Sequence, residues 1–92
     1  MRSYQAIGHV ARPMMRLMKG HVVPLHAHEK ADHIMVVFRG AIRLHNGEEE
    51  VELTAPSSCN VPRGVAHQVL VLEDDTEVVC MFPAGVEYRD TF

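Results

Sequence analysis

Four histidines, His26, His28, His33 and His67, stand where an extended chain can aim them at one point. Residues two apart on a strand share a face, so His26 and His28 present their imidazoles together while Ala27 faces away. A His-x-His pair is half of a metal site, and it is equally the pattern of two solvent-facing histidines. Two further residues favour the metal. His33 opens the next apolar run, and His67 follows the turn-forming Pro62-Arg63-Gly64 to open another strand. If the face shared by His67, Val69 and Val71 is interior, His67 enters the same space as the pair, lined by Met35, Val37, Val51, Leu53 and Val69. An apolar pocket with a few converging polar groups is the usual form of a small-molecule or metal site.

The cofactor expected at such a set is a divalent transition metal: iron, nickel, zinc, manganese or copper. Four neutral imidazoles leave the charge of the ion uncompensated, so the site should attract a small anionic or chelating ligand. A six-coordinate ion keeps two positions open for it, whereas a closed tetrahedral zinc would be less reactive. His9, His21 and His45 fit no such frame and are read as solvated. Met14, Met15, Met18, Met35 and Met81 are read as gap-filling core residues, not soft-metal ligands. Gln68 is out of phase with His67, and Arg39 and Arg43 are read as solvent-exposed charge.

The elements that must position these residues are strands. Residues 42–45 and 49–53 alternate apolar with polar on either side of Asn46-Gly47, which predicts a hairpin with a two-residue turn. Residues 66–72 and 77–82 are β-branched and apolar, joined by Glu73-Asp74-Asp75-Thr76, and predict a second hairpin. Residues 14–19 and 33–38 add short strands. Gly and Pro interrupt the chain too often for an amphipathic helix. The class is all-β, a small sandwich or barrel, and 92 residues suit a single domain spanning residues 1–92. Residues 34–38 and 69–72 are apolar on both alternating faces, so something covers their outer side; a homodimer is favoured over the N-terminal segment.

The net charge of −3, with no clustered Lys/Arg patch, argues against nucleic acid as a partner, since phosphate neutralisation dominates that affinity. The run Glu48-Glu49-Glu50 reads as a solvated turn. No apolar run is long enough to span a membrane, and the N-terminus lacks the zones of a secretion signal, so a cytoplasmic protein is expected. Cys59 and Cys80 are read as free, mostly buried thiols.

From Gly20 to Val71 the chain resembles the cupins. The first cupin motif is Gly, five residues, His-x-His, three or four residues, Glu, six residues, Gly, and Gly20, His26, His28 and Gly40 match it at those intervals. The second is Gly, five residues, Pro-x-Gly, two residues, His, three residues, Asn, and Pro62, Gly64 and His67 match it. Pro56 and Val71 depart at the ends of the second motif. The consequential departure is His33, which stands where the first motif has its Glu ligand. Asp32 is the alternative in a shorter frame, at the cost of the interval to Gly40. Glu29 and Asp32 otherwise lie on the opposite side or behind the ligands.

The resemblance implies a cupin-type β-barrel, or jelly roll, with a three- or four-His metal site and a small-molecule ligand or substrate. As an activity it implies a metal-dependent, dioxygenase-like oxidoreductase or a related Lewis-acid enzyme, with isomerase, cyclase or lyase chemistry next. A non-catalytic binding or sensing module is the alternative, because fold does not fix function. A metal acting only as a staple for a small barrel is a third reading.

Overall fold

The computed structural model describes residues 3–6 and 8–91. Among these are nine strands: β1 (His9–Ala11), β2 (Met15–Leu17), β3 (Val22–His26), β4 (His33–Arg39), β5 (Ala41–His45), β6 (Glu50–Thr54), β7 (Ser57–Val61), β8 (His67–Val71) and β9 (Thr76–Pro83). A 3₁₀ turn at Tyr88–Thr91 follows them. The strands form two antiparallel sheets, one ordered β1-β9-β4-β7 with β2 also on β9, the other β3-β8-β5-β6. From β2 onward the chain changes sheet at each connection except β5 to β6. That alternation makes a jelly-roll sandwich with its core between the sheets.

The expected β5–β6 hairpin forms, with its turn one residue later than Asn46-Gly47. His45 pairs with Glu50 and Leu44 with Val51. The Asn46 N–H donates to the Glu49 carbonyl at 3.1 Å, which leaves Gly47 and Glu48 as the central residues, Gly47 at φ +94°. The Asn46 side chain explains the shift. Its Oδ1 accepts from the N–H groups of Glu48 and Glu49 at 3.0 and 2.7 Å, so the asparagine caps the turn from its first position. The observed register also sets apolar Leu44 opposite apolar Val51, which the earlier turn would not.

Residues 73–76 do not make a hairpin. β8 belongs to the second sheet and β9 to the first, so this segment is a crossing between layers. Thr76, fully buried, anchors it: its Oγ1 donates to the Glu73 carbonyl at 2.8 Å and accepts from the Ala41 N–H at 3.3 Å. Ala41 follows Gly40, the corner of the other crossing, from β4 to β5. Gly40 has φ +79°, and a Cβ built on it would lie 2.2 Å from Thr76 Oγ1. The two corners therefore interlock only with glycine at position 40.

Alternation decides the core. Met35 and Val37 of β4, Ile42 and Leu44 of β5, Leu53 of β6, Val61 of β7, Val69 and Val71 of β8 and Val78 of β9 form one buried cluster. Each fully buried Val or Ile contributes roughly 1.5–3 kcal/mol, so this cluster is the main support of the fold. The outer faces of β4 and β8 are only partly covered, with Ile34, Val36 and Leu70 half-buried. Cys59 and Cys80 are free and half-buried, more accessible than expected. The strands β1 and β7 carry too little apolar alternation to have been anticipated; Ser57–Val61 is largely polar because Ser58 and Asn60 face outward, opposite Val36 and Ile34.

Candidate metal centre

His26 reaches the interior through an irregularity of β3. Val23 pairs with Val69 and His26 with His67, so three steps on β3 span two on β8. This β-bulge at Pro24-Leu25 reverses the facing of the strand and turns both Val23 and His26 inward. Proline is tolerated there because a bulge interrupts the ladder. His28 lies past the end of β3, so strand alternation does not aim it. It is held by the connection from β7 to β8: the Gly64 N–H donates to the His28 carbonyl at 2.9 Å, with Gly64 at φ +76°. Beside it, Asp32 Oδ1 accepts the Arg63 N–H at 2.8 Å. The Pro62-Arg63-Gly64 turn thus fastens the loop that carries His28.

The nitrogens of His26, His28 and His67 able to bind a metal lie within 4.8 Å of one another. The ring centroids of His26 and His67 are 4.3 Å apart and those of His26 and His28 5.0 Å. His33 adjoins the group without belonging to it, its ring 4.7 Å from that of His28 and 5.3 Å from that of His67. It lies flat on the ring of Phe82. His28, His33 and His67 are buried and His26 half-buried. Asp32 is exposed and occupied by the Arg63 N–H, and Glu29 is exposed as well.

These donors suit a divalent transition metal. A carbonyl oxygen can only accept, so His26 Nδ1, 2.7 Å from the Pro24 carbonyl, carries its proton, as does His67 Nδ1, 3.1 Å from the Val65 carbonyl. Each ring is left with Nε2 as its lone-pair nitrogen, and His67 Nε2 is buried with no hydrogen-bond partner. Both ring nitrogens of His33 are likewise buried and unpartnered. Orphaned buried nitrogens of this kind are costly unless something binds them. Burial lowers the pKa of His33 to about 4, helped by the neighbouring His28, His67 and His26 and opposed by Asp32. His67 is also lowered, by burial first, with the Val65 carbonyl opposing. Neutral imidazoles are the form that binds metals.

A cavity of about 320 Å³ opens beside His67 between the edges of the two sheets. Leu44, Val51, Val61 and Val65 form its apolar wall, and Asn46, Glu49, Cys59 and Asn60 its polar side. Glu49, from the β5–β6 turn, is the one carboxylate on the lining among the described residues and was missed in the sequence, where the acidic run reads as plain solvation. Among the described residues no Lys or Arg lines the cavity. Of the five residues expected to line the pocket, Val51 does so, 42% exposed at the mouth. Met35, Val37, Leu53 and Val69 are packed into the core cluster instead. A sandwich this narrow fills its middle with side chains, and this cavity opens where β6 and β7 part. Arg43 is on the outer face, paired with Glu52 at 2.7 Å, and Gln68 faces the same way.

A two-sheet jelly roll carrying an inward cluster of imidazoles that could hold a metal ion defines the class of this small barrel. The chain matches the Cupin domain family model over residues 13–87 and belongs to that family. Among curated proteins none matches it. It is similar to the solved structure of KdgF from Halomonas sp., with TM-score 0.78 and 24% identity, covering 97% of this chain and 80% of that one. An RmlC-like cupin from Shewanella frigidimarina gives TM-score 0.68 at 22% identity, covering 84% and 68%. A predicted oxalate decarboxylase from Thermotoga maritima gives 0.69 at 25% identity, covering 76% of this chain and 62% of that one.

Proposed function

We propose that this protein binds a divalent transition metal through His26, His28 and His67, that the adjoining His33, whose buried ring nitrogens have no other partner, closes on the ion as the fourth ligand, and that the protein acts on a small chelating substrate in the cavity beside His67. The observation that carries this reading is the convergence of three imidazoles, two of them held by carbonyls in the tautomer that leaves Nε2 free. A metal so held supplies Lewis-acid polarisation of a chelating ligand, and iron or copper adds electron transfer to dioxygen. The chain contributes an apolar wall that excludes water and a polar side where Asn46 can hydrogen-bond ligand oxygens. Glu49 at the same wall can accept a proton from a ligand hydroxyl. Among the described residues no cationic side chain lines the cavity, so anionic character in a ligand is met there by the metal.

The activity we assign is that of a metal-dependent, dioxygenase-like oxidoreductase. The Thermotoga protein described as a predicted oxalate decarboxylase makes oxalate worth including among substrates. Loading the metal-free protein anaerobically with iron(II) and following oxygen uptake with β-diketones, catechols and flavonols, and formate release with oxalate, tests this. Substrate-dependent uptake lost in His67→Ala supports it; tight metal and ligand binding with no turnover on any metal would assign a binding module instead. Two free cysteines fit the reducing cytoplasm as its location. The half-buried outer face of β4 fits a homodimer, and light scattering giving the mass of one chain would refute that.

A further inference from the structure

Phe82 has the largest of the fully buried side chains, yet it stands outside the apolar cluster that forms the core. Its ring neighbours are histidines. The His33 ring lies 5.0 Å away and 20° from parallel, and the His28 ring meets it edge-on at 5.3 Å and 82°. The backbone explains both contacts. Ile34 pairs with Met81, so His33 and Phe82 come next to each other one step further along β4 and β9. Phe82 is inward in the alternation of β9 and so rises beneath the loop that ends at His33 and contains His28.

We propose that Phe82 is a positioning residue of the imidazole cluster, setting the ring planes of His33 and His28 at once. The inference rests on the metal-site reading above, but the contacts on which it stands need no metal. A flat aromatic face fixes the rotation of a stacked imidazole, and an edge-on contact fixes that of the second; a branched aliphatic side chain of similar bulk does neither. This matters most for His33, whose ring nitrogens have no hydrogen bond to orient them. His26 and His67 are oriented by carbonyls, whereas for His33 the aromatic face takes that role.

The test compares Phe82→Leu with Ile42→Val, a core substitution at a fully buried site of β5 within the apolar cluster, which contains no histidine. The probes are cobalt(II), read by its visible spectrum and dissociation constant, and the histidine ring ¹H–¹⁵N signals of the metal-free protein. Both variants should melt earlier. Phe82→Leu alone should shift the cobalt bands, weaken cobalt binding about tenfold and broaden or move the His33 and His28 ring signals. Unchanged bands and ring signals in Phe82→Leu, or equal changes in Ile42→Val, would overturn the proposal. If Phe82→Leu does not fold, Phe82→Met gives the same comparison. A wild-type protein that takes up no cobalt would refute the metal site, and the ring signals would still decide the role of Phe82.

Discussion

His26 and His67 face each other across the β3–β8 pair, their ring centroids 4.3 Å apart and each Nδ1 tied to the carbonyl two residues before it, Pro24 and Val65. The same local device is used twice, on different strands. It turns two flexible side chains into a fixed pair of lone-pair donors before any ion arrives, which lowers the ordering cost of binding. Substituting either histidine should therefore do more than remove one contact.

In His67→Ala the metal loses a buried donor already held in its binding tautomer. The affinity for cobalt(II) or zinc(II), measured by competition with a chromophoric chelator, should fall by more than the roughly 10- to 100-fold typical of losing an outer hydrogen-bond partner. His21→Ala, at an exposed position outside the cluster, should leave it unchanged. Equal affinities in His67→Ala and wild type would place the metal elsewhere.

The metal-free protein should lose stability in mild acid. His33 has its pKa lowered to about 4 in the folded state from an ordinary value of 6.5. The unfolded chain therefore takes up this proton first as the pH falls. The contribution is complete above the unfolded value and is lost between there and the folded value, at most about 3 kcal/mol in all. The lowered pKa of His67 acts in the same direction. Urea midpoints in the presence of a chelator should drop between about pH 7 and pH 5, and less steeply in His33→Leu. A wild-type midpoint that is flat over that range would contradict the burial assigned to His33.

Gly40→Ala should destabilise the protein by roughly 2–4 kcal/mol, the sum of left-handed backbone strain and overpacking. The added Cβ would lie 2.2 Å from Thr76 Oγ1 and 2.9 Å from the Thr76 Cα, and backbone cannot swing aside. Gly47→Ala, at a positive φ with open space around it, should cost only the strain. Urea unfolding of the two variants measures the difference. Equal costs would mean that the Gly40–Thr76 corner is looser than its geometry implies.

Much of the fold could be read from alternation and from the Pro and Gly positions, and the reasons for the failures are local. The acidic connection at residues 73–76 resembles a hairpin turn, but whether two flanking strands pair or part is decided by distant partners: β8 by β3 and β5, β9 by β1 and β4. Parity counting named His26 and His28 for a reason the structure does not use. The bulge at Pro24-Leu25 breaks the count for His26, and His28 is aimed by Gly64 and not by a strand. Spacing put the clustered histidines in one neighbourhood because turn residues and histidines recur together in the two motifs. It said nothing of Phe82, whose ring contacts depend on the β4–β9 register, or of Glu49, which the four-residue loop carries to the cavity.

The metal content of protein purified without added metal, determined by elemental analysis together with uptake after stripping and reloading, bears most directly on the site. About one transition-metal ion per chain, lost in the His26→Ala and His67→Ala proteins, is the expected result. A folded wild-type protein that carries no stoichiometric metal and gains none from iron, nickel, zinc, manganese or copper would contradict it.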